Sequence, residues 1–248
     1  KGVALADGDV LRADIVVSAA NPRSTLLDMV GARHLETDHV RRLKSIRMRG
    51  AAGKLNIALD GLPEFSGLDA KQTGGRLLIA PSVRAVERAF DPVKYGEVPT
   101  EPVLEVVIPS LAEPGLAPEG KHVLSTVVLY APFAPKAGLD AARSALLEAC
   151  LASLERHAPG FRQLVRHAEL LLPADIEARC RMPGGHWHHG ELAVDQLFWL
   201  RPFQAAAQYR APLDGLWLAG AGSHPGGNVM GLAGANAARA ILAREAKS

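Results

Sequence analysis

The chain has 248 residues, 48% of them hydrophobic and 22% charged, with a formal net charge of +2. That length allows one large domain or two small ones around a packed core, and the near-neutral charge argues against a nucleic-acid partner. Cys150 and Cys180 form neither a CxxC pair nor a disulfide framework, which points to reducing, cytoplasmic surroundings, and no apolar run is long enough to span a bilayer.

The chain begins at Lys1 without a Met, inside a strand-like pattern and with no signal peptide. This predicts that an upstream part precedes it. Val3 and Leu5 alternate with small or polar neighbours, and Asp7-Gly8 supplies hairpin chemistry before a return strand at 10–12. Residues 13–20 read as a buried strand ending in small residues. Asn21 then offers a cap and Pro22 a first helical position, for a helix over 23–30 stopped by Gly31. Thr37 is placed to cap a second helix through Ile46. The basic run Arg41, Arg42, Lys44, Arg47 and Arg49 reads as a solvated helix face.

Leu55, Ile57 and Leu59 alternate along a strand at 54–60. Ser82 is placed to cap a helix carrying Val83, Val86, Ala89 and Phe90. The Val- and Leu-rich segments 103–108 and 122–130 are β candidates, separated by a Pro/Gly loop at 109–120. Residues 139–158 form an amphipathic helix with Ala142, Leu146, Ala149, Cys150 and Leu154 near helical spacing, ended by Pro159-Gly160. Cys150 reads as core. A short strand at 170–172 and a helix at 174–180 follow, then a loop at 183–190 and a partly helical segment at 191–200.

The segment 216–242 carries the most information. A strand, Leu216-Trp217-Leu218-Ala219, runs into Gly220-Ala221-Gly222-Ser223-His224-Pro225-Gly226-Gly227, and a helix of small residues is expected from near Asn228. The glycines remove side chains where a ligand would approach the backbone. A helix N-terminus there favours negative charge. Gly231 and Gly234 inside the helix would cost roughly 1 kcal/mol each relative to Ala, so something is expected to approach that face closely. Tight helix–strand packing without a ligand accounts for the same pattern.

This segment resembles the C-terminal FAD-contact motif of phytoene desaturase-type flavoproteins, and within them the pyridine nucleotide-disulfide oxidoreductase domain-containing branch. Asp195-Gln196-Leu197-Phe198-Trp199-Leu200-Arg201-Pro202, Pro183-Gly184-Gly185-His186 and the opening stretch from Ala6-Asp7-Gly8 through Ala19-Ala20-Asn21-Pro22 are similar to that family too. The resemblance implies an α+β chain. A mixed-sheet substrate-side domain with helices, residues 23–190, would be flanked by 1–22 and 191–248. Those flanks would be the hairpin and closing strand-turn-helix of an incomplete FAD/NAD(P)-binding α/β domain. It implies FAD, with Gly222, Ser223, His224, Pro225, Gly226 and Gly227 lining the ring end, Val229 and Met230 offering backbone N–H groups, and Ser18, Ala19 and Ala20 near the adenine or pyrophosphate side.

The front strand–GxGxxG–helix unit that cradles the pyrophosphate in such enzymes is absent from 1–40, so this chain alone is expected to bind FAD weakly or not at all and to be inactive. The implied reaction moves hydride between flavin N5 and an apolar or lipid-like substrate. His224 is the candidate acid or base, since its ordinary pKa is near neutrality. The alternative is a non-catalytic ligand-binding or interaction module completed by a second segment. Homo-oligomerisation and peripheral membrane contact are left open. His186, His188, His189 and Glu191 match no zinc spacing, so no metal is expected. Arg201 is read as a carboxylate binder or, preferentially, as the partner of an acid at a domain interface. No G-x-S-x-G elbow supports a hydrolase.

Overall fold

The computed structural model describes residues 2–227 and 230–246. The chain divides into two compact units, one formed by Lys1–Arg49 with His186–Ser248 and the other by Gly50–Gly185. Both mix helices and strands, giving an α+β architecture. Residues 23–49 and 186–190 pack within the first unit.

In the first unit, β1 (Gly2–Ala4) and β2 (Val10–Arg12) form the antiparallel hairpin that Asp7-Gly8 predicts. Gly8 takes φ 97°, a left-handed conformation open to glycine at little cost. The expected strand at 13–20 contracts to β3 (Val16–Ser18), and Val17 is 50% exposed rather than buried. The reason is topological: β3 has a single strand neighbour, β9 (Leu216–Leu218), which runs parallel to it. Asn21 fulfils its capping role, with Oδ1 accepting from the Arg23 N–H at 2.9 Å. The turn beyond it winds as a π-helix over Ser24–Gly31. In α1 (Thr37–Ser45), Thr37 is the first helical residue and Glu36 takes the cap position. Leu26, Leu43, Phe203, Ala206, Ala211 and Leu218 make one small core; Tyr209, Trp217 and Ala237 make another.

The second unit holds β4 (Ala52–Leu59), α2 (Ala70–Thr73), β5 (Leu77–Ile79), α3 (Val83–Lys94), β6 (Val103–Val107), β7 (His122–Leu129), α4 (Leu139–His157), α5 (Phe161–Leu164), β8 (Val165–Leu171) and α6 (Pro173–Cys180). The strands form one antiparallel sheet in the order β5-β6-β7-β4-β8. Leu55, Ile57 and Leu59 bury one face of β4, as the alternation predicts, against Leu146, Cys150 and Leu154 of α4. Ser82 caps α3 by accepting from the Ala85 N–H. Burial pushes the Cys150 thiol up to about 12, so it is an inert core side chain.

Among the strands, two features depart from the sequence reading; the short helices α2 and α5 are not among the expected elements either. β5 is not among the expected strands, and β8 starts at Val165 rather than Leu170, because Arg166 and His167 on its exposed half mask the alternation. At the ends of this unit, the Gly50 N–H donates to the Gly184 carbonyl at 2.7 Å. A Cβ on Gly50 would lie 2.6 and 2.8 Å from the Gly184 and Gly185 carbonyl oxygens, so only glycine fits there.

The last helix, α7 (Leu232–Glu245), starts later than its expected origin near Asn228. Gly231 sits at its N-cap with φ 68°, outside the helix rather than inside it. No helix is long and apolar enough to cross a membrane among the described residues.

Leu146 is fully buried between α4 and the sheet. Leu146→Ala is expected to lower the unfolding free energy by about 2–5 kcal/mol, read from urea denaturation. Val83→Ala, at a position 90% exposed, is expected to change it by less than about 0.5 kcal/mol.

Candidate functional site

The parallel pairing of β3 and β9 sets Val16 beside Leu216 and Ser18 beside Leu218. Ala219 N–H donates to the Ser18 carbonyl at 2.8 Å. Both strands end on the same side, so Ala19, Ala20 and Pro22 meet the glycine turn 220–227 at their carboxyl ends. In open α/β folds that crevice is where ligands bind. Segments far apart along the chain are thereby brought together: Ser18 bonds to Ala219, Ala19 lies against Gly220 and Pro22 against Gly222. Val229 lies outside the described residues. Met230 is half exposed and precedes α7.

The glycines of the turn answer first to packing. A Cβ on Gly220 would collide with the Ala19 carbonyl, and one on Gly227 with the His188 ring. At Gly222 it would lie 2.6 Å from Pro22 Cγ and 3.2 Å from His189 Cβ. Gly226 takes φ 110°, and its Cβ position lies 3.2 Å from Arg201 Cδ. The room expected for a ligand at these four positions is thus taken by the chain itself. At Gly231 and Gly234 a Cβ would meet nothing within 4 Å among the described residues, so the close approach expected there is not made by this chain.

The polar atoms carry a different message. Ser223 is fully buried, and its Oγ has no hydrogen-bond partner among the described residues. The Nδ1 atoms of His186, His188, His189 and His224 are likewise buried and without a partner among the described residues. An orphaned buried polar atom costs about 1–3 kcal/mol; two others, His39 Nδ1 and Thr126 Oγ1, lie elsewhere, and these five fall in the 186–189 loop and the 223–224 turn. Ser18 differs: its hydroxyl is engaged with Thr25 Oγ1 at 2.6 Å. A cavity of about 70 Å³ lies between Ala219–Ala221 backbone, Gly226 and the first turn of α7. A larger groove, about 600 Å³, runs beside β3 past Ser18, Ala19, Ala20 and Met29.

Burial pushes the His186 pKa down to about 4, with the charge of His188 adding to the effect. Burial, and then the positive charge of Arg201, also lowers His188 and His189. His186 and His188 meet edge to face at 5.8 Å between ring centroids. Among the described residues, no group of three His, Cys, Asp or Glu side chains converges in a way that could hold a metal.

The 195–202 motif is a set of struts. Asp195 takes both terminal nitrogens of the Arg47 guanidinium at 2.7 and 2.9 Å, and Glu191 takes its Nε at 2.9 Å. Gln196 Oε1 accepts from the Arg47 N–H at 2.7 Å, and its Nε2 donates to the Arg47 carbonyl at 3.0 Å. Arg47 is therefore a clamp residue, not part of the solvated helix face on which the sequence places it. Arg41 and Arg42 do lie on such a face, each paired with Asp38. Nothing in the sequence signals Arg47 except that it lies just beyond the helix end. Arg201 binds neither a ligand carboxylate nor an interface acid; its guanidinium is buried and bonded to backbone carbonyls.

No protein-family model matches the chain. Over 98% of its length it is 34% identical to pyridine nucleotide-disulfide oxidoreductase domain-containing protein 2 of Mus musculus, covering 44% of that protein. It is 27% identical to the neurosporene-forming phytoene desaturase of Cereibacter sphaeroides, over 99% of this chain and 46% of the relative. Among solved structures, an oxidoreductase from Methanosarcina mazei aligns with 96% of this chain and 44% of its own, at TM-score 0.57 and 18% identity, a likeness of fold. The chain thus spans a little under half the length of the curated relatives it matches.

The depressed histidines link this site to pH. A buried neutral His binds fewer protons folded than unfolded, so its contribution to stability is complete above its unfolded pKa, near 6.5, and is lost as pH falls towards 4. The melting temperature is expected to fall between pH 6.5 and 4, and to fall less steeply in His186→Phe; an equal slope in the variant would refute His186 as a source.

Proposed function

This chain is a homologue of the phytoene desaturase-type oxidoreductases, and from that premise we propose that it supplies the ring end of an FAD site and the substrate-side domain of such an enzyme. The observation that supports the reading is the parallel β3–β9 pair, which sets Ala19 against Gly220 and Pro22 against Gly222, beside a turn in which Ser223 Oγ and His224 Nδ1 are buried and without a hydrogen-bond partner among the described residues. The donor set is consistent with a flavin ring: a buried hydroxyl, an imidazole and the start of α7, whose N-cap residue, Gly231, has no side chain to cap the first turn. When bound, the flavin would supply hydride exchange at N5 with an apolar or lipid-like substrate. The chain's part is to position, to exclude water and to place charge. Gly222, Ser223, His224, Pro225, Gly226 and Gly227 would line the ring end through their backbone and polar atoms, with Met230 beside its pyrimidine edge; Val229 lies outside the described residues. Ala19 and Ala20 would pass the adenosine side; the Ser18 hydroxyl, held by Thr25, would contribute only backbone. The strand–GxGxxG–helix cradle that this reading requires is not found in 1–40, so the chain by itself would hold FAD weakly and would be inactive.

A second reading, an interaction module completed by another segment, is supported by the groove beside β3, where Met29 is 70% exposed. Self-association through that surface belongs to this reading.

The full-length protein carrying this chain is expected to purify yellow, with an absorbance band at about 450 nm, the property of the bound cofactor rather than of side chains. Ser223→Ala is expected to lower flavin occupancy, and colourless wild-type protein made with flavin in supply would favour the module instead. If His224 moves a proton, His224→Gln is expected to lower turnover by about 10²–10⁴-fold at unchanged flavin content. A change under about threefold would make it a turn residue only, because a general acid or base contributes far more than that.

A further inference from the structure

Arg201 is 3% exposed. Its Nε donates to the Ala221 carbonyl at 3.2 Å. One terminal nitrogen donates to the Glu191 and Gln196 carbonyls at 3.2 and 3.3 Å. The other donates to the Gly190 carbonyl at 3.2 Å and to the His188 carbonyl. A guanidinium has five N–H donors, and five backbone carbonyls receive them. None is left for a ligand, so Arg201 cannot be a direct anion binder.

Among the described residues no carboxylate forms an ion pair with this charge. Glu191 and Asp195, its sequence neighbours, are both committed to Arg47. Carbonyl dipoles satisfy the hydrogen bonds but leave a net positive charge in a low-dielectric place, an expensive arrangement if tying loops together were its only purpose. It sits against the glycine turn: the Cβ position of Gly226 is 3.2 Å from Arg201 Nε. The neighbouring histidines are depressed by burial and by this same charge, so they add no second cation near neutral pH.

We propose that Arg201 is a positioning residue that also acts electrostatically, fixing the histidine loop 186–191 against the glycine turn while its unpaired charge favours the anionic state of the group seated on that turn. The inference rests on the flavin reading, in which that group is the ring, more negative when reduced than when oxidised. Arg201 then holds the reduction potential up without touching the ring.

The test is the midpoint potential of the full-length flavoprotein. Arg201→Gln, which keeps some hydrogen bonds and drops the charge, is expected to weaken binding of reduced relative to oxidised flavin by tenfold or more, about 30 mV for a two-electron couple. Arg201→Lys keeps the charge with fewer donors, and is expected to restore most of the potential while losing stability to urea. Should Arg201→Gln fail to fold, Leu192→Glu serves. Leu192 is half exposed and its Cδ2 lies 3.6 Å from the same Gly226 position, so a carboxylate there would neutralise the cation and lower the potential relative to Leu192→Gln. Potentials that do not differ between Arg201→Gln and Arg201→Lys, or between Leu192→Glu and Leu192→Gln, would make Arg201 a tie and nothing more. A wild-type protein without flavin would remove the flavin reading itself, and this inference with it.

Discussion

The pairing on which the first unit depends is that of β3 with β9. It joins Val16–Ser18 to Leu216–Leu218, and every component of the candidate site hangs from it. The small residues after β3 face the glycine turn after β9 only because the two strands run parallel in this register. A slip of one residue would turn Trp217 and Leu218 out of the small cores they fill. Arg201 and the Arg47 clamp act one layer out. They fix loops that the pairing has already brought close.

A glycine-rich turn is commonly read as space reserved for a ligand, and this chain shows how that inference divides. At Gly220, Gly222, Gly226 and Gly227 the space is filled by Ala19, Pro22, Arg201 and His188. The glycines are needed so that loop, strand and turn can approach one another. What points to a ligand instead is the unmet hydrogen-bonding capacity of Ser223 and His224. Packing accounts for the glycines, and the orphaned polar atoms lie within the same turn. The two explanations, tight packing and ligand contact, apply to different atoms of one segment.

Much of the framework is legible in the sequence because it is written in local rules. Alternation marks β4, Val- and Leu-rich composition marks β6 and β7, and Asp7-Gly8 marks the β1–β2 hairpin. Ser82 and Asn21 announce their caps. β5 escapes because three residues carry too little periodicity, and the first half of β8 because its exposed polar face breaks the apolar pattern. The start of α7 is misplaced because Gly231, which reads as a helix residue, instead adopts a left-handed cap. Arg201 and Arg47 mislead for a deeper reason. A sequence shows that an arginine is present, but its partners are carbonyls and carboxylates set by loops far away along the chain. The resemblance to a flavoprotein family locates the site; it is the hydrogen-bond partners that assign work to each residue.

The contact between Gly50 and Gly184 has a consequence for how the chain finds its fold. β3 and β9 are separated by nearly the whole polypeptide, and closing so long a loop in an unfolded chain is entropically unfavourable and slow. The intervening unit, Gly50–Gly185, has its own buried core, and its two ends are hydrogen bonded to each other. Once it folds, the distance that matters along the chain shrinks to the two arms, 19–49 and 186–215, that lead from those ends to the strands. An insertion that looks like an interruption of the first unit is, kinetically, the staple that lets its halves meet.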